Sequence, residues 1–246
     1  MVLTAAALCP HPMALVPELT TDPIDQWDAL RAACLEAVAQ LGIPVAGGPQ
    51  VPTPEAPQLV VIVGGDHVTR SFDPSRAYAS LVGAGVWWKS GWGQASKDPQ
   101  PLPLSLSLGY WLLTASRPGN TGMITCDVAF EAVNFEASPQ ECFTLGAQLA
   151  AHAGRVAFIV MGEGMTCVPS AHRTADLMQS DTAFRDALES ADIETLRRLG
   201  YATMTGRAPW QVLAGAGVTT RSTPAPTDPH PMVLPCSVGG DSHNRR

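Results

Sequence analysis

Two histidines carry the strongest chemical signal in the chain: His11 in LTAAALCPHP and His67 in LVVIVGGDHV, each placed just past the end of a predicted β-strand. In an α/β protein the ends of neighbouring strands converge on one edge of the sheet, where ligands and metals bind. Two imidazoles delivered there could supply half of a metal site. Pro10 and Pro12 flank His11 and fix φ on both sides, which constrains the direction of its ring, although prolines also serve plain loop stiffness. His67 follows Gly64, Gly65 and Asp66, where the glycines permit a sharp turn and Asp66 could orient an imidazole or cap a helix.

The remaining candidates are weaker. His152 falls near a predicted helix end, where a cation suits the dipole without any further role, and His230 and His243 lie in a polar tail. A nucleophilic pair of Cys9 or Cys167 with His67 or His172 has no supporting spacing, and buried cysteine is the default. Gly162-Glu163-Gly164 is too short for a dinucleotide fingerprint, no Walker-type lysine follows a glycine cluster, and there is no G-x-S-x-G elbow.

The elements that must position these residues alternate along the chain. Residues 2–8 read as a buried strand. Asp22 and Pro23 then open an amphipathic helix on which Trp27, Leu30, Cys34, Val38 and Leu41 recur at helical spacing until Gly42. A Pro/Gly-rich connector leads to Leu59–Val63, a β-branched run of the kind buried on both faces of a sheet, which completes a βαβ unit. Residues 83–103, with Trp87, Trp88 and Trp92, read as an excursion whose aromatics either line a pocket or pack the loop onto the body. LSLSLGYWLL fits a strand turning into a helix, and periodicity does not decide the matter. Ser138, Pro139 and Glu141 form a capping box for a helix to His152, and Arg155–Met161 is a further buried strand. TAFRDALESADIETLRRLGY holds two short helices, the second capped by Asp192. No internal repeat is present.

These patterns predict a single α/β domain over residues 1–216, with a central mixed sheet flanked by helices, and a loosely ordered Pro/Ser/Thr-rich tail over 217–246. The 246 residues are 46% hydrophobic, enough for a substantial core. A net charge of −7 without a Lys/Arg cluster argues against nucleic acid. The opening MVLTAAALCPHP has no basic n-region, and the greasy stretch from Leu102 to Leu113 is too short and interrupted to span a bilayer. The expectation is a cytoplasmic chain without a membrane segment. The six cysteines, none in a C-x-x-C pair, fit reduced thiols better than a disulfide framework or a structural zinc site.

ALCPHPMALVPEL, VVIVGGDHVTRSF, PLPLSLSLGYWLL, RVAFIVMGEGMT and TAFRDALESADIETLRRLGYATMTGRAPWQVLAGA, in this order and spacing, resemble the catalytic-subunit family of class III extradiol ring-cleavage dioxygenases, in a divergent branch. The resemblance runs from residue 1 to about residue 216. It implies the α/β fold of that catalytic subunit and a mononuclear non-haem Fe(II) held by two histidines and a glutamate. Such a facial triad leaves positions open for a catecholate and dioxygen, so the implied partners are a small aromatic substrate and O2. By the resemblance His11 and His67 are the metal histidines. The acid–base histidine belongs shortly after the turn GEGMTCVPSAH, which places Cys167 or Val168 at the expected position and His172 there if the loop is a few residues longer. The glutamate ligand ordinarily comes from near the carboxyl terminus, yet no glutamate follows Glu194. The third ligand is then missing, moved, or supplied by another residue such as Asp241, or by Glu163 from a different loop. The alternative expectation is a degenerate member of the fold that binds a small molecule or partner without turnover. Hydrolysis by a metal-bound water is a minor third reading. Homo-oligomerisation is left open.

Overall fold

The computed structural model describes residues 2–20, 25–46, 55–117, 122–163, 206–217, 221–222 and 234–237, with scattered residues between 179 and 195. Four parallel strands form the centre of a seven-stranded mixed sheet: β1 (Val2–Cys9), β2 (Leu59–Asp66), β7 (Asp127–Asn134) and β8 (Arg155–Met161). Antiparallel strands close the edges, β3 (Arg70–Phe72) against β7, and β10 (Leu234–Ser237) and β9 (Arg221–Ser222) beyond β1, giving the order β3-β7-β2-β8-β1-β10-β9. The segment expected to be a loosely ordered tail therefore contributes two short strands to the sheet.

Alternate residues along each central strand feed two apolar layers. Leu8, Val61, Val63, Phe158 and Val160 face α3 (Pro139–Ala150) and α4 (Arg207–Gly215). Ala7, Cys9, Val60, Ile62, Ala157 and Ile159 face α1 (Asp25–Ala39) and α2 (Leu104–Ala115). The protein is thus α/β, with a mixed central sheet flanked by helices. Leu59–Val63 is fully buried, as its unbroken apolar run requires. The βαβ unit from β1 through α1 to β2 skips a place in the sheet, and β8 fills it. Among the described residues no helix is long and apolar enough to cross a membrane.

LSLSLGYWLL is helical throughout and forms most of α2. Its alternating serines mimic a strand, but Ser105 and Ser107 are buried and hydrogen bonded: Ser105 Oγ donates to Gly65 O at 2.9 Å and Ser107 Oγ to Leu102 O at 3.2 Å. Satisfied hydroxyls let a helix bury both periodic sets. The excursion after β3 carries its own three-stranded sheet, with β4 (Ala77–Ser80) between β5 (Lys89–Ser90) and β6 (Gln100–Pro101). Trp88 packs against the core while Trp87 is 92% exposed, so the two neighbours divide between contact and solvent.

The α3 capping box forms as expected, with Glu141 N–H donating to Ser138 Oγ and Ser138 N–H to Glu141 Oε2. Thr195 N–H donates to Asp192 Oδ1 at 3.0 Å, consistent with the cap expected there. The cap expected at Asp22 lies outside the described residues. Cys9, Cys34 and Cys142 are buried free thiols and Cys126 is a partly buried one.

Strand β7 has no counterpart in the sequence reading. Asp127, Glu131 and Asn134 interrupt its apolar pattern, yet Glu131 is only 3% exposed because edge strand β3 offers it Ser71, whose hydroxyl donates to Glu131 Oε2 at 2.6 Å. Burial pushes the Glu131 carboxyl above its ordinary range, against this hydrogen bond.

Helices α3 and α4 meet at glycines. A Cβ on Gly146 would lie 1.9 Å from Val212 O, and one on Gly215 2.3 Å from Phe143 O. Both obstacles are backbone and cannot rotate away. Gly146→Ala should therefore lower stability by about 2 kcal/mol by overpacking, even though alanine is the better helix former. Urea denaturation checks this, and an unchanged or raised midpoint would show that the helices separate at little cost.

Candidate functional site

The registers of the parallel strands assemble the site edge. Cys9 and Gly64 both stand level with Met161, the last residue of β8. Counted two residues onward along each chain, His11, Asp66 and Glu163 leave the sheet at the same height, with His67 one residue further. Because β8 lies between β1 and β2, Glu163 departs from the strand flanked by the two histidine strands.

His11 and Glu163 are in direct contact through the backbone. Gly162 N–H donates to Cys9 O at 3.1 Å, extending the β1–β8 ladder past the strand ends, and the Glu163 carboxylate accepts the His11 backbone N–H. Burial pushes the Glu163 carboxyl above its usual range, and the His11 N–H partly offsets this. Glu163 O accepts the Gly206 N–H at 3.1 Å, which ties the chain just after β8 to the start of α4. Gly162 is required for that approach, since a Cβ there would meet Trp210 Nε1 at 2.6 Å and Gly206 Cα at 2.8 Å.

The His11 ring is largely buried, and its Nδ1 has no hydrogen-bond partner among the described residues. Burial alone lowers its pKa from 6.5 to about 4. At neutral pH the site therefore holds a neutral imidazole with an unused buried ring nitrogen.

His67 stands differently. It is exposed, and its ring packs edge-to-face on Phe135, with centroids 5.4 Å apart and planes at 79°. Asp66 does not orient this imidazole or cap a helix. Its Oδ1 accepts the His67 backbone N–H at 2.8 Å, and its Oδ2 lies 3.6 Å from Arg70 Nη2. His152 is exposed in the turn after α3. His172, Cys167, Asp241, His230 and His243 lie outside the described residues.

The structure thus brings His11 and Glu163 together and places His67 on the same edge, two strands away from His11. Among the described residues no group of three His, Cys, Asp or Glu side chains gathers closely enough to hold a metal ion. Compared with protein-family models and with curated proteins, the chain has no match in either.

Two residues of this edge escaped the sequence reading. Phe135 supplies the ring against His67. Arg207, 2% exposed, donates from Nη2 to Phe135 O at 2.6 Å and to Ala137 O at 2.8 Å, and from Nη1 to Gln211 Oε1 at 2.8 Å. The i, i+4 pairing of Arg207 with Gln211 on an otherwise apolar helix was the available signal, because such a pair inside a core must serve fixed polar partners.

The buried His11 ring makes the fold acid-sensitive. The unfolded chain takes up this proton near pH 6.5 and the folded chain only near pH 4, so acidification through that window favours unfolding. The stability contributed by keeping this ring neutral is fully present above pH 6.5 and lost towards pH 4, up to about 3 kcal/mol. Unfolding of metal-free wild type and His11→Asn, measured at several pH values across this window, should show a shallower decline in the variant. Parallel curves would mean that the ring takes up its proton without strain.

Proposed function

We propose that the chain has the fold of the class III extradiol catalytic subunit and is a non-haem Fe(II)-dependent ring-cleavage dioxygenase for a catechol-type aromatic. The observation that carries this reading is the neutral His11 ring, whose buried Nδ1 has no partner among the described residues, on the residue whose backbone N–H meets the Glu163 carboxylate, at the sheet edge that also bears His67. A neutral imidazole keeps the lone pair that a metal needs, and burial preserves it down to about pH 4. Two imidazoles and one carboxylate are the donor types of a non-haem iron facial triad.

In this reading His11, His67 and Glu163 would hold the iron. The iron would supply open positions for a dihydroxylated aromatic and dioxygen. The protein's own share is to keep His11 neutral by burial and to hold the Glu163 backbone against α4 through Gly206. His172 is the proposed acid–base residue that takes a substrate hydroxyl proton. Cleavage falls next to the two hydroxyls.

A second reading, a degenerate member of the fold that binds a small molecule or partner without turnover, is favoured by one observation. Among the described residues His11, His67 and Glu163 do not gather as a metal group.

Anaerobic Fe(II) titration of the purified protein, followed by a panel of catechols and oxygen, separates the two. The dioxygenase reading expects one iron per chain, lost in His11→Ala and in His67→Ala with both variants folded, and a yellow ring-cleavage product. It further expects His172→Ala to keep iron and lose turnover. Absence of iron binding in the wild type would leave the binding reading.

A further inference from the structure

We infer that Phe135 is a positioning residue for His67, and that the buried Arg207 guanidinium fixes Phe135 in that role. An exposed histidine at a strand exit is free to turn about its side-chain bonds, and ordering it costs rotamer entropy. Here the Phe135 ring meets the imidazole edge-to-face, a preferred aromatic geometry.

Phe135 is itself held from three directions. Its N–H donates to Asp66 O at 3.0 Å, so the loop after β7 is tied to the residue directly before His67. The neighbouring Asn134 N–H donates to Thr69 Oγ1 at 2.9 Å, on the other side of His67 in the chain. The Phe135 ring lies over Gly65, where a Cβ would stand 2.3 Å from Cε1, so only glycine lets the ring settle there. Arg207 closes the clamp by donating to Phe135 O and Ala137 O on either side of Glu136. A charged group fully inside the core is costly unless it has well-placed partners, and here it spans the loop that delivers the ring.

The consequence for function rests on the proposal that His67 is an iron ligand. Groups that orient a metal-binding histidine typically change affinity by about tenfold or more when removed. The contact itself is testable without iron.

The experiment records ring-proton NMR of the histidines in the metal-free protein, with the His67 signal assigned by its loss in His67→Ala, alongside Fe(II) affinity. Phe135→Leu removes the ring and keeps an apolar side chain. It should move the His67 signal and weaken Fe(II) binding about tenfold. Phe135→Tyr keeps the ring and should restore both. Gly65→Ala displaces the ring through the new Cβ and should move the same signal, which keeps the test decisive if Phe135→Leu fails to fold. An unmoved His67 signal in a folded variant overturns the inference, as does a moved signal with unchanged iron affinity. A Phe135-dependent signal in a protein that binds no iron supports the contact and retires the iron reading instead.

Discussion

The placement of β8 between β1 and β2 is the constraint on which the rest of the structure depends. Parallel strands with fixed register deliver whatever follows them to one edge at a defined height. The ladder continues beyond the strands through Gly162 N–H to Cys9 O, and this keeps the chain after β8 against the chain after β1. The Glu163 carboxylate can then accept the His11 N–H. A slip of one residue in β8 would turn its buried Val156, Phe158 and Val160 to the opposite layer, so the same apolar alternation that packs the helices also fixes the site.

Close approach of the two helical layers depends on missing side chains. Gly64 admits Ser105 of α2, Gly65 admits Phe135, and Gly146 admits the backbone of α4. The first two are consecutive, so neighbouring residues of β2 are pressed from opposite faces immediately before Asp66 and His67. The strand exit carrying His67 is thereby set by packing on both faces, and Asp66 completes it by binding the His67 backbone. Rigidity at this point comes from shape and backbone pairing rather than from a carboxylate on the imidazole ring.

Much of this fold was legible in the sequence because apolar pattern and end signals agreed. Leu59–Val63 announces a strand buried on both faces, and Ser138 with Glu141 announces a helix start. Strand β7 was not legible, because Glu131 is tolerated in the core only through Ser71 of an edge strand that is itself three residues long. Helix α2 was ambiguous because Ser105 and Ser107 read as a polar face until their acceptors, Gly65 O and Leu102 O, are placed. Both difficulties have one cause: a buried polar side chain looks like a solvent-facing one unless its distant partner is known. The same holds at the site. His11 and His67 stand out by strand position, whereas Phe135 and Arg207 matter only through contacts made across the sheet.

The two histidines are unequal, and the inequality bears on how such a site would load. His11 is buried and neutral, and its Nδ1 has no partner among the described residues, which would be the costly part of a ligand site to prepare during folding. His67 is exposed and held by one ring contact, which costs the fold little. A ligand arriving at this edge would find one donor already desolvated and the other held in the open by the Phe135 ring. Affinity would then be governed by how firmly Phe135 fixes His67 and by whether the Glu163 carboxylate turns from the His11 backbone. The buried donor would set where a ligand binds, and the other two how tightly.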